Sequence, residues 1–484
     1  MRLLFLCLVL PVVLSACSEN DSVKQVTEPN SAAVAIVSNA VDRVSASIQS
    51  AREQQALNAF IYLDETGALA AAERADKVEA AGEALGVLHG IPFVVKDNIH
   101  VAGMPNSAGT LSLKNFQPTT TNAVVGALTS AGAIVLGKTN MHELAFGITS
   151  NNAAFGAVHN ARNPELIPGG SSGGTAVAIA SGIVTMGLGT DTGGSTRIPP
   201  ALNGIAGFRP SMGRYNTHNV TPVASTRDTV GPLAINVKLI ALMDSVISDG
   251  QCSSQKVDLK SLRLGVPREY FYQNLSPEVA QNIESVLAKL THAGVELVEV
   301  DLPDLQRANA GVSFPVALHE AITELPEYLA ENQINLSIEQ LIEAISSPDV
   351  KGALGSQLGP AAIPDAVYKD AIEKYRPQLQ KIYADAFRQY NISAMIAPTT
   401  PLLATPIASS DETVELNGQQ VPTFPTFIRN TDPSSNAGLP SLVFPSGSNA
   451  QNNPFSVMLD GPVDSDCGLL DMGIAIESLL SDSM

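Results

Sequence analysis

The stretch from Pro168 to Pro200 constrains this chain more than any other. It runs Pro-Gly-Gly-Ser-Ser-Gly-Gly-Thr, then a segment of small residues, then Gly-Leu-Gly-Thr-Asp-Thr-Gly-Gly-Ser-Thr-Arg-Ile-Pro-Pro. Ser171 and Ser195 each follow a pair of glycines. The small residues from Thr175 to Ser181 suit a tightly buried helix, and the apolar run from Ile183 to Leu188 suits a strand. A helix of about ten residues covers roughly 15 Å, and a strand of about five covers roughly 16 Å. The outward and return paths therefore match, and the two serines can meet. Glycine lets backbone N–H groups approach a ligand without a Cβ in the way, and successive N–H groups in a turn form an anion nest. This combination points to acyl transfer, with a serine nucleophile beside a set of oxyanion donors. Residue type alone leaves open which serine attacks.

A second short apolar run lies upstream, in Gly90-Ile91-Pro92-Phe93-Val94-Val95-Lys96-Asp97-Asn98, and reads as a strand ending in a lysine at the mouth of a loop. From Asn122 the pattern is a helix, stopped at Gly132, then a buried strand Ala133-Ile134-Val135-Leu136. Gly132 to Thr139 fits the expression Gly-x-x-x-x-Gly-Lys-Thr, but a phosphate loop must follow its strand, and here the four intervening residues are the strand. His142-Glu143 lacks the second histidine of a zinc hydrolase, and neither a metal nor a cofactor is expected.

Several segments together resemble the amidase signature family. They are the Ser171 and Ser195 loops, Gly-Ile-Pro-x-x-Val-Lys-Asp-Asn around Lys96, and Met141 to Gly156 (Met-His-Glu-Leu-Ala-Phe-Gly-Ile-Thr-Ser-Asn-Asn-Ala-Ala-Phe-Gly). Gly204 to Pro210, Gly213-Arg214-Tyr215, Thr226 to Pro232, Asn436 to Pro440 and Asp460-Gly461-Pro462 extend the agreement. The Met141 segment is most similar to the mandelamide and indoleacetamide hydrolase branch. The resemblance implies an α/β fold, a central mixed sheet covered by helices on both faces. It also implies a Ser–Ser–Lys triad of Ser195 as nucleophile, Ser171 as relay after a cis peptide, and Lys96 as base. Thr192, Gly193 and Gly194 would supply oxyanion donors, with Ser172, Asp191 and Arg197 supporting the geometry. The implied reaction is hydrolysis of a small, aryl-substituted primary carboxamide to the acid and ammonia, and a peptide amide is the alternative acyl donor. A Ser–His–Asp elbow around Ser171 is disfavoured because Asn163 to Pro168 makes a poor preceding strand.

The middle of the chain departs from that resemblance. Leu262 to Pro267 reads as a strand, Pro277 opens a helix that Gly294 ends, and Val295 to Val300 reads as a second strand. Residues 312–390 read as mostly helical, and Phe314, His319 and Tyr328 are candidates to line the acyl pocket. Residues 33–88 also read as helical.

The first sixteen residues look like an export label: Arg2, an apolar core from Leu3 to Val13, and Leu14-Ser15-Ala16-Cys17, which resembles a bacterial lipobox. The expectation is cleavage before Cys17, a lipid on its thiol, and a polar tether to about residue 32. Attachment would be at the periplasmic side, at the outer membrane given Ser18. Residues 33–484 would form a single amidase domain, with a signature core over about 88–235, a helical insertion over about 300–390 and a C-terminal core segment over about 391–484. Cys252 and Cys467 are then the remaining cysteines, and the sequence does not say whether they pair. A net charge of −19 gives no phosphate-tracking surface, so nucleic acid is not an expected partner.

Overall fold

A computed structural model describes residues 39–252 and 255–481. The signal, Cys17 and tether readings lie outside the described residues. Eleven strands form one mixed sheet. In chain order they are β1 (Phe60–Leu63), β2 (Pro92–Lys96), β3 (Ile134–Thr139), β4 (Met186–Asp191), β5 (Ala206–Arg209), β6 (Thr229–Ala234), β7 (Arg263–Val266), β8 (Glu296–Glu299) and β9 (Ala394–Pro398). A separate hairpin, β10 (Thr413–Leu416) and β11 (Gln419–Pro422), precedes β12 (Ser441–Ser448) and β13 (Pro454–Asp460). The spatial order is β1-β3-β2-β4-β6-β5-β12-β13-β9-β7-β8. Helices cover both faces, so the expected α/β architecture is present.

The central strands are buried along their whole length, as β2, β4 and β6 show, and they read as apolar or glycine-rich runs rather than alternating ones. Helices α1 (Ala40–Glu53), α2 (Glu65–Ala80) and α3 (Ala123–Ser130) begin at Asn39, Asp64 and Asn122, whose side chains each accept a first-turn N–H. Helix α4 (Gly173–Ala180) follows Ser171 and Ser172. It sits so close to β1 and β3 that a Cβ on Gly174 would lie 2.3 Å from the Asn140 carbonyl and 2.5 Å from that of Ala59. Only glycine fits there.

The expected βαβ unit is found: β7, the helix Pro277–His292, and β8 parallel to β7. Three local expectations are corrected. The segment 33–88 is not helical throughout, because Phe60–Leu63 pairs antiparallel with β3 and that pairing overrides the helical pattern around it. The strand expected at 183–188 starts at Met186 and runs to Asp191, since its ladder to β6 extends through Asp191↔Thr229. Strand β3 continues past Leu136 to Thr139, with Lys138 inside it. Cys252 and Cys467 are joined by a disulfide that closes a separation of 215 residues.

Candidate active site

β2 lies between β3 and β4 and runs parallel to both, with Val95 opposite Leu188. Parallel neighbours deliver their C-terminal residues to the same end of the sheet, so Lys96 and Thr190 emerge side by side. The N-terminus of α4 brings Ser171 to the same place, after a cis Gly170–Ser171 peptide. Lys96 Nζ is 2.7 Å from Ser171 Oγ and 2.7 Å from Thr190 Oγ1. Asn98 Nδ2 also donates to Thr190 Oγ1, at 3.1 Å. Lys96 is completely buried. Desolvation lowers its amine from 10.5 to about 7, against the opposing pull of Asp191 and Asp228.

The loop after β4 carries Thr192, Gly193, Gly194 and Ser195. Its carbonyls are taken: Thr192 O accepts from Arg227 Nε at 2.8 Å, Gly193 O from Thr431 Oγ1 at 2.7 Å, and Gly194 O from the Arg197 and Ile198 amides. Its amides are not. Among the described residues, the N–H groups of Gly193, Gly194 and Ser195 meet no acceptor. Gly194 has φ of +155° and its absent Cβ would sit 2.2 Å from Thr431 Oγ1, so a side chain is excluded on both counts. Three adjacent unclaimed amides beside a serine hydroxyl make an anion site.

The residues grouped with Asp191 form a buried ionic frame under this loop. Asp191 pairs with Arg197 and Arg209, each at 3.0 Å, and accepts from Thr196 N and Oγ1. Burial alone would raise its carboxyl, but the two guanidiniums hold it well below the usual carboxylate range. Arg197 reaches on to Ser434 and Ser435, which ties the frame to the C-terminal segment. Ser172 Oγ bonds Thr190 O at 3.3 Å and pins α4 to β4.

A cavity of about 270 Å³ opens over the loop, lined by Thr192, Gly193 and Ser195 at its floor. Of Lys96, Ser171 and Ser195, only Ser195 faces it; Ser171 lies beneath. Phe146, Ile148, Phe314, Leu318, Phe424 and Ile428 form an apolar wall. Asp349 and Asp411 also line the cavity. An apolar space of about 150 Å³ already accepts a benzene ring, so the cavity has room for a group of ring size.

Of the three pocket residues expected on the helical insertion, Phe314 lines the cavity and the other two do not. His319 lies on another face of its helix, stacked on Tyr368 with centroids 4.1 Å apart and paired with Asp365. Tyr328 is buried, its hydroxyl bonded to His100, Asn106 and Thr221. Thr190, Asn98, Asp228 and Asp432 belong to the site without having been singled out. Among the described residues no strand runs directly into Ser171 and no histidine side chain bonds either serine hydroxyl (His142 meets Ser171 only through its backbone amide), so a Ser–His–Asp elbow is not built here.

Comparison with known proteins places the chain in a family. The chain matches the Amidase family over residues 42–470. It is 43% identical over 427 residues to the indoleacetamide hydrolase of Agrobacterium vitis, covering 88% of this chain and 91% of that protein. It is 41% identical over 443 residues to the mandelamide hydrolase of Pseudomonas putida, covering 88% and 85%. A solved amidase structure superposes with a TM-score of 0.82 at 32% identity, covering 91% of this chain and 96% of that one.

Proposed function

The chain belongs to the amidase family and hydrolyses amide C–N bonds, and from that premise we propose that it does so through Ser195, Ser171 and Lys96 on a small aryl-substituted primary carboxamide. The observation that carries this reading is the contact of Lys96 Nζ with Ser171 Oγ, in a site where burial brings the amine to about 7. A neutral amine can take a proton. Ser195 Oγ attacks the carbonyl carbon, its proton moves to Ser171 Oγ, and the Ser171 proton moves to Lys96 Nζ. The carbonyl oxygen becomes an oxyanion held by the unclaimed amides of Gly193, Gly194 and Ser195, with Thr192 anchoring the loop through its hydroxyl to Asp228 and its carbonyl to Arg227. The proton then returns along the same path to the leaving nitrogen, the C–N bond breaks, and ammonia departs from an acyl-Ser195 ester. Water, deprotonated by the same relay, releases the acid.

Ser195 rather than Ser171 is assigned the attack because it faces the cavity, while Ser171 is buried, does not line it and bonds the lysine. The aryl preference is supported by the apolar wall and by the two similar hydrolases of aryl-bearing amides. Asp349 and Asp411 favour a second reading, an amide that carries an amine, such as an amino-acid or peptide amide. The test is ammonia release across aryl, alkyl and aminoacyl amides, with hydroxylamine present to trap the acyl group. The wild type should yield a hydroxamate, and Ser195→Ala should yield none. Hydroxamate from the Ala variant would sink the assignment.

The export reading also stands as a proposal. It draws support from the Cys252–Cys467 disulfide, since such bonds persist in oxidising compartments. Mass spectrometry of the membrane fraction tests it: a lipid-modified N-terminal Cys17 is expected, and an intact N-terminus on soluble protein counts against it.

A further inference from the structure

The 27-residue helix Leu305–Glu331 carries none of the motifs singled out in the sequence, yet it grips the frame of the oxyanion loop at five points. Asn309, Ser313, Glu320, Glu324 and Tyr328 recur at intervals of four and seven, which places them on one face of the helix. Asn309 Nδ2 donates to Asp432 at 2.9 Å, and the other Asp432 oxygen is bound by Arg227 at 2.7 Å. The Ser313 carbonyl accepts from Arg227 Nη1 at 2.9 Å. Glu320 accepts from both the hydroxyl and the amide of Thr226, at 2.7 and 3.1 Å. Glu324 does the same for Ser225, at 2.6 and 2.9 Å, and Tyr328 OH receives Thr221. Segment 221–227 is thus strapped to the helix, and its Arg227 fixes the Thr192 carbonyl.

Glu320 is the informative member. It is only 2% exposed, does not line the cavity, and has its carboxylate fully engaged, with Tyr368 OH as a third donor at 2.9 Å. A well-packed apolar side chain would commonly serve stability as well or better than a buried ionic group. What an apolar side chain cannot do is fix the Thr226 amide and hydroxyl in direction, one residue before the arginine that holds the loop. We infer that Glu320 is a positioning residue for the oxyanion loop, acting through Thr226 and Arg227 on Thr192 and Gly193. This inference rests on the proposed role of that loop. Because the oxyanion is common to every amide, its loss should be felt regardless of the acyl group.

The test is Glu320→Gln in the full chain, assayed with phenylacetamide and with butanamide. Glutamine keeps the size but removes the charge, and with its oxygen on the Thr226 amide its NH₂ turns the Thr226 and Tyr368 hydroxyls from donors into acceptors. The expected result is a fall in kcat of about 10- to 100-fold, the scale of a slightly misplaced catalytic group, by the same factor on both amides and with KM within about twofold. Modification of Ser195 by phenylmethanesulfonyl fluoride should slow in parallel, a readout that needs no amide turnover. If the wild type turns over neither amide, the proposed function fails, and the modification rate still decides the role of Glu320. Unchanged kcat and unchanged modification rate overturn the inference. So does a loss confined to KM for phenylacetamide, which would make Glu320 a pocket-shaping residue. Should the Gln variant not fold, Thr226→Val removes the hydroxyl partner alone and is judged by the same two outcomes.

Discussion

Replacing Lys96 with methionine should make the protein more stable and inactive, and the size of the gain follows from the site. The amine is completely buried, and burial lowers it from 10.5 to about 7. That displacement corresponds to about 5 kcal/mol at 1.36 kcal/mol for each pH unit. The unfolded chain holds this proton up to about pH 10.5, the folded chain only to about 7. Below pH 7 both states are charged and the folded state bears the whole desolvation cost. As pH rises from 7 towards 10.5 the unfolded state alone keeps the proton, so the cost shrinks and stability climbs. Methionine removes the cost but leaves Ser171 Oγ without its partner, a loss of about 1–3 kcal/mol. Thr190 keeps Asn98 as a donor. The net gain at pH 6 is then about 2–4 kcal/mol, and it should be smaller at pH 9.

Two assays check this. Unfolding midpoints of the wild type and Lys96→Met are compared at pH 6 and pH 9, and kcat/KM of the wild type is followed from pH 5 to 9. The rate constant should rise tenfold per pH unit and bend near 7, where the amine loses its proton. Without burial only about three molecules in ten thousand would carry a neutral lysine at pH 7, against about half here. The Met variant should lose at least about 100-fold in kcat, the lower end for a general base. A flat pH profile, or a Met variant less stable than the wild type by the same margin at both pH values, would refute the argument.

Phe314→Ala should raise KM for aryl amides by about 3- to 10-fold while leaving butanamide unchanged. Phe314 lies beside Phe424 on the cavity wall, the rings tilted at 43° with centroids 5.8 Å apart, and one aromatic contact with a substrate ring is worth about 0.5–1.5 kcal/mol. Cys252→Ser should lower the unfolding free energy by about 2–4 kcal/mol with kcat unchanged. A reductant should bring the wild type down by the same amount and leave the variant where it is.

What was legible in the sequence was the part built from backbone. Glycine pairs beside Ser171 and Ser195 mark places where the main chain does the work, and glycine has few other uses in a buried loop. Side-chain scaffolding is harder to see. Thr190 reads as an ordinary strand residue, since threonine is common in strands, and nothing marks its hydroxyl as a partner of Lys96. Glu320 and Asp432 lie on helices, where a carboxylate usually faces water. Their burial follows from which helix face meets segment 221–227, and that is decided by tertiary packing. The same reason explains Phe314 and His319: both suit a pocket by residue type, and the helix turn between them sends only the first into it.

On the proposed mechanism, the contrast between Lys96 and Lys138 shows how little separates a base from a structural cation. Both lysines are fully buried near the ends of adjacent strands, and β2–β3 register sets Lys96 opposite Thr139 and Lys138 opposite Val95. That offset of one residue sends the two side chains to opposite faces of the sheet. On its face Lys138 Nζ meets Asp97 at 3.3 Å, the Pro105 carbonyl at 2.9 Å and the Asn106 amide oxygen at 3.1 Å. The Pro105 and Asn106 oxygens can only accept, and Asp97 is an ion-pair partner, so although burial lowers the Lys138 amine and raises the Asp97 carboxyl, these contacts favour the charged lysine. Lys96 meets two hydroxyls instead, and a hydroxyl can donate into a nitrogen lone pair as readily as it accepts. Asn98 fills one lone pair of Thr190 Oγ1 and leaves that hydroxyl's proton free, so either Thr190 or Ser171 can donate to the Lys96 nitrogen. The same amino acid, one register step apart, meets acceptors on one face and hydroxyls on the other, and the proposed mechanism takes its base from the second setting.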